Sequence, residues 1–189
     1  MLDIAEFLEK YPRSRAIHAL ENDDLVLLSK YAAPPDIVEF LRAEGHCAYQ
    51  DDFLLTTLPH EQFQALSEWG LDGKRCFAFL RTALGSICYE YKGKIFQLDP
   101  ISGHVYKGRF EFSEFMNLLA TMDAFLESEF FGVYQQVARK RPLAFDEVYA
   151  PAPEAPRRGK LAAEHLEMAK MQEYLARAAR SFGNKARRV

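Results

Sequence analysis

The chain has 189 residues, 49% of them hydrophobic and 27% charged, with a formal net charge of −3. That composition supplies a normal core for one compact domain, or for two small lobes sharing a core, and excludes disordered, collagenous and coiled-coil classes. The charge is uneven: residues 1–70 carry 13 acidic against 5 basic side chains, residues 71–150 carry 10 of each, and residues 151–189 carry 4 acidic against 9 basic.

An acidic first third repels nucleic acid and attracts basic partners. No run approaches the roughly 18–20 apolar residues of a membrane span. The start, MLDIAEFLEKYPRSR, lacks a basic segment followed by an apolar one and does not read as a signal peptide. Three widely spaced cysteines, Cys47, Cys76 and Cys88, do not form a disulfide framework and fit a reducing cytoplasm.

In chain order, residues 3–11 read as a short amphipathic helix ended by Pro12. Asn22-Asp23-Asp24 can cap a second helix through Leu25, Leu28 and Tyr31. A third follows Pro34-Pro35, with Ile37, Phe40 and Leu41 on its face and Gly45 as its stop. Residues 52–58 read as a strand and 60–69 as another helix. Asp72-Gly73 is a turn, after which the period changes. Residues 76–80, 86–91, 94–98 and 104–107 read as four aromatic-rich strands of an antiparallel meander. Helical spacing returns from Ser113 and again over 123–139. The proline-rich stretch 150–159 reads as a loop or strap, and residues 161–181 as a final long helix. The expected fold is α+β, with a mainly helical lobe bearing a short strand over 1–71. A small antiparallel sheet of about four strands, packed by C-terminal helices, is expected over 72–189.

Catalytic and ligand-binding patterns are sparse. None of the ten glycines falls in a phosphate-binding arrangement. The five histidines, His18, His46, His60, His104 and His165, form no HxH or HxxxH pair, so no metal site and no cofactor is expected. Cys76 and Cys88 sit in apolar strand patterns and read as small buried hydrophobes. Cys47 lies in a more polar neighbourhood but within no nucleophile motif. The basic residues near the C-terminus are scattered and carry no interleaved aromatic platform, so direct nucleic-acid binding is not expected.

The run RCFAFLRTALGSICYEYKGKIFQLDPISGHVY, with Phe79, Leu84-Gly85, Ile87, Tyr89, Ile95, Leu98-Asp99-Pro100 and Gly103, resembles a family of bacterial immunity proteins linked to type VI secretion. Those proteins join an N-terminal GAD-like domain to a C-terminal immunity domain. FEFSEFMNLL and LAFDEVYAPAP (Asp146, Glu147, Tyr149, Pro153) are similar to further family segments, and so is the terminal LAAEHLEMAKMQEYLA. The stretch PPDIVEFLRAEGHCAYQDDFLLTTLPHEQFQALSEWGL is similar to the GAD-like half. The resemblance spans roughly residues 20–180.

It implies a cytoplasmic, non-enzymatic protein that binds and inhibits a cognate secreted effector toxin, in such systems often a nuclease. Occluding a basic substrate groove suits the acidic first third. Candidate contacts are the acids Asp23, Asp24, Asp51, Asp52, Glu61 and Glu68, with Tyr49 or Phe53 as the central anchor. Asp146, Glu147 and Tyr149 read instead as a strap docking the last helix. Two alternatives stand beside this: a scaffold or regulatory module of cell-wall-regulator type, and a hydrolase built on Cys47 or Asp146-Glu147. The toxin's identity, the stoichiometry and the oligomeric state are open.

Overall fold

A computed structural model describes residues 4–121, 123–138, 142–152 and 161–188. Pro153, Arg157, Arg158 and the rest of the proline-rich stretch beyond Ala152 lie outside them, as do the first residue of the expected N-terminal helix and Arg139.

The order begins with α1 (Ala5–Lys10), β1 (Arg13–His18), α2 (Asn22–Lys30) and α3 (Pro35–Glu44). It continues through β2 (His46–Tyr49), β3 (Leu54–Thr56), α4 (Pro59–Glu68) and β4 (Phe77–Thr82). Then come β5 (Ile87–Tyr91), β6 (Lys94–Asp99), β7 (His104–Lys107), α5 (Phe112–Thr121), α6 (Asp123–Ser128) and α7 (Phe131–Val137). The last elements are β8 (Glu147–Pro151), a 3-10 turn at Ala163–His165, β9 (Leu166–Lys170), α8 (Met171–Ser181) and β10 (Arg187–Arg188).

The α+β class holds, but the expected small four-stranded sheet does not. The main sheet has eight strands in the order β1-β2-β3-β4-β5-β6-β7-β10, and β8 and β9 form a second, two-stranded sheet. Strands β1 to β7 pair antiparallel with their sequence neighbours, and β10 adds parallel to β7, which makes the sheet mixed. The pairing of β3 with β4 carries the sheet across residue 72 without a break.

Helices cover both faces, not one. Phe79, Cys88 and Ile95 point into a core with Phe7, Phe40, Met116 and Leu119 of α1, α3 and α5. Ala78, Ile87, Tyr89 and Leu98 point into a second core with Leu66 of α4 and Met171, Tyr174 and Leu175 of α8. Alternate residues of one strand thus reach opposite cores. A strand buried on both sides loses the alternating pattern that reveals a one-sided sheet: β2 and β3 are buried at every position. β1, the edge strand, is masked differently. Its sequence RSRAIH is polar because an edge strand faces water, so it does not stand out as strand.

Two expected helices are remodelled. The long helix over 161–181 is a helix only from Met171. Leu166–Lys170 instead pairs antiparallel with β8 over five residues, and Met171 N–H bonds Asp146 O at 2.8 Å. The helix over 123–139 breaks at Phe130, whose φ is +60°. The break seats the Phe131 ring 5.0 Å from Phe53 and lets the Tyr134 hydroxyl donate to Asp51 O at 2.6 Å. Among the described residues, no helix is long and apolar enough to cross a membrane.

Candidate functional site

Chemistry-bearing side chains collect in one corner, where the β1 edge meets the first turns of α2 and α4. β1 and β2 place His18 directly opposite His46. Opposed residues of neighbouring strands share a face with Cβ atoms about 4.5–5.5 Å apart, and the two imidazole rings lie 4.1 Å apart, tilted by 31°. Gly45 sets this register. It ends α3 with φ +65°, and a Cβ there would sit 2.7 Å from His18 O. Only glycine takes both the left-handed conformation and the close approach.

His18 is exposed, whereas His46 is 3% exposed. Phe145 closes one side, its ring 4.1 Å from that of His46 and nearly perpendicular to it. Burial, aided by the neighbouring His18, pulls the His46 pKa down to about 4, so its imidazole is neutral at pH 7. Asp24 enters from the first turn of α2, where its Oδ2 accepts the Glu21 N–H at 3.0 Å. One donor atom from each of His18, Asp24 and His46 lies within 4.8 Å of the others. His60, on the first turn of α4, is near enough to act electrostatically on His46 and Asp24. Its Nδ1 is buried with no hydrogen-bond partner among the described residues.

Beneath the corner lies a buried charge. Arg81 is 1% exposed and donates to Phe145 O at 2.5 Å. Burial lowers its pKa to about 10, opposed by attraction to Glu61. Glu61 caps α4 by accepting Leu58 N–H at 2.8 Å, and its own burial lifts it to about 7.

The residues expected to contact a partner are scattered. Asp23 is exposed, and Asp24 and Glu61 are half-buried; these three lie around the histidine corner. Tyr49 and Phe53 are fully buried and present no surface; the Tyr49 hydroxyl donates to Glu44 at 2.8 Å. Asp51 and Asp52 occupy the β2–β3 turn, beyond the far end of β2 from His46; β2 alone spans about 10 Å at about 3.3 Å per residue. Asp51 is exposed; Asp52 is held by Arg15 at 3.1 Å and by Ser14. Gln50, Asp51 and Asp52 all have positive φ, so this turn is pinned in a costly conformation. Glu68 is half-buried at the far end of α4. The histidine pair escaped the sequence reading because its spacing of 28 residues matches no local motif. Only the strand register brings the rings together.

Other candidates look different in place. Burial raises the Cys47 thiol to about 11 and the Cys76 thiol to about 12, and pushes the Cys88 thiol up as well. Asp146 is exposed and paired with Lys170 at 2.7 Å, while Glu147 caps the chain at Ala144 N–H. The basic tail lies at the opposite edge of the sheet, where Lys185, Arg187 and Arg188 line a groove of about 480 Å³ with Trp69 and Phe182.

The class defined by this architecture is an α+β protein with an eight-stranded mixed sheet covered on both faces. No protein family's profile matches the chain, and no curated protein matches it. Among solved structures it is similar to the crystal structure of Atu4351 from Agrobacterium tumefaciens, with a TM-score of 0.75 and 16% identity, over 96% of this chain and 89% of that one. At that identity the likeness is one of fold.

Proposed function

We propose that the protein is an immunity protein, which protects the cytoplasm of its cell by binding a secreted effector toxin, most simply a nuclease with a basic substrate groove. The reading rests on the resemblance of the segments from Phe79 to Tyr149 to that family. The single structural observation in its support is the solvent-facing acid of the N-terminal segment. Glu6, Glu9, Glu21, Asp23, Asp36, Glu39 and Asp51 are all exposed, on α1, α2, α3 and the β2–β3 turn. They outnumber the exposed bases of the same segment, Lys10, Arg13, Lys30 and Arg42, and an excess of one sign steers an oppositely charged partner and favours its orientation. Occluding a groove requires no catalytic group.

Since Tyr49 and Phe53 are buried, the anchor of the interface lies elsewhere, and the acids carry the testable part. The test is co-production with the effector encoded by the adjacent gene, scoring survival and isolating the complex. Asp23→Lys with Asp51→Asn should leave the fold intact, slow association and flatten its salt dependence. Absence of both rescue and a complex overturns the reading. Unchanged association in the double variant removes these acids from the interface.

A further inference from the structure

We propose that His18, His46 and Asp24 form a binding site for a divalent transition-metal ion of the zinc class, clipping the β1 edge of the sheet to α2. The inference is independent of the immunity reading.

Two consecutive elements, β1 and α2, and the more remote β2 deliver the donors to one point. His18 and His46 face each other across β1 and β2, and Asp24 reaches them from α2. All three donor atoms lie within 4.8 Å of one another. An ion bonded at about 2.0–2.2 Å holds tetrahedral donors roughly 3.3–3.5 Å apart. Closing the gap takes a shift of at most about 1.5 Å, which side-chain rotations of exposed His18 and half-buried Asp24 supply. His46 need not move; it is clamped by Phe145 and by the Gly45 turn.

The donor chemistry selects the ion. Two imidazoles and a carboxylate suit zinc and its first-row neighbours, whereas magnesium and calcium favour oxygen alone. Asp24 spends Oδ2 on the Glu21 N–H, which orients the carboxylate and leaves Oδ1 for the ion. Three protein ligands leave a fourth position for water or for a donor from a bound partner, and the exposed His18 puts that position at the surface.

The experiment titrates the chelator-treated full-length protein with Co²⁺, then displaces it with Zn²⁺. One Co²⁺ per chain is expected, with the visible bands of a four- or five-coordinate nitrogen and oxygen site, released by one equivalent of Zn²⁺. Zn²⁺ should also raise the thermal midpoint. His18→Ala removes an exposed ligand and should fold normally while weakening Zn²⁺ binding by at least about tenfold, and Asp24→Asn should weaken it similarly. The proposal is overturned if the wild-type protein binds neither ion at 100-fold excess over chain. It is equally overturned if both variants bind as tightly as wild type, or if a strong thiolate-to-cobalt band places the ion on cysteine.

Discussion

Glu129 offers a perturbation that isolates one charge. It follows α6 and sits against the sheet, accepting from Gln97 Nε2 at 2.5 Å, with Ser86 as a second hydrogen-bond partner. Burial outweighs both bonds and raises its pKa from 4.5 to about 7. The folded state therefore holds this proton more tightly than the unfolded chain. Below about pH 4.5 both states are protonated and there is no penalty. Between about pH 4.5 and 7 the unfolded state ionises first, and stability falls; above about 7 the loss is complete. At 1.36 kcal/mol per unit, the full loss is about 3 kcal/mol. Glu129→Gln keeps Oε1 for Gln97 and cannot ionise. Urea unfolding at pH 5 and pH 8 should show the variant gaining about 2–3 kcal/mol on wild type between the two. Comparison at matched pH cancels Glu61, which titrates in the same direction, and His46, which titrates in the opposite one. A stability difference independent of pH would refute the assignment.

Arg81→Met should destabilise the fold by about 3–5 kcal/mol, because it strands Glu61 and the carbonyl of Phe145 without their buried cation. Adding Glu61→Gln should recover part of that in urea unfolding. Gly45→Ala forces a side chain into φ +65° and against His18 O, and should cost about 1–3 kcal/mol. Hydrogen exchange should then show faster opening at residues 16–18, and the same variant should bind Zn²⁺ more weakly. For the proposed complex with an effector, raising salt from about 0.05 to about 0.5 M should weaken association of the wild-type protein more than that of Asp23→Lys with Asp51→Asn, since exposed charges are screened beyond about 10 Å at about 0.1 M.

Local signals are legible in the sequence where local physics decides them. Pro12, Pro34-Pro35 and Gly45 mark real element ends, and the strands 87–91, 94–99 and 104–107 follow their turn residues. Leu166–Lys170 shows the limit. Its apolar positions fit a helix continuing into α8 equally well, and the unpaired edge of β8 is what makes it a strand. Phe130 carries no sequence sign of a break; the ring of Phe53 and the carbonyl of Asp51, far away in the chain, impose it.

The site divides in the same way. The sequence by itself determined the acidic bias of the first 70 residues, the α+β class and the start of α2 around Asn22-Asp23-Asp24, where the N-cap is Glu21, since each depends on residue type or near neighbours. Only the tertiary structure decided that seven consecutive strands form one sheet covered on both faces, and that Tyr49 and Phe53 are interior. It alone set His18 beside His46 and Asp24. Burial and long-range register are properties of pairs of residues distant along the chain. A pattern read along one strand at a time contains neither.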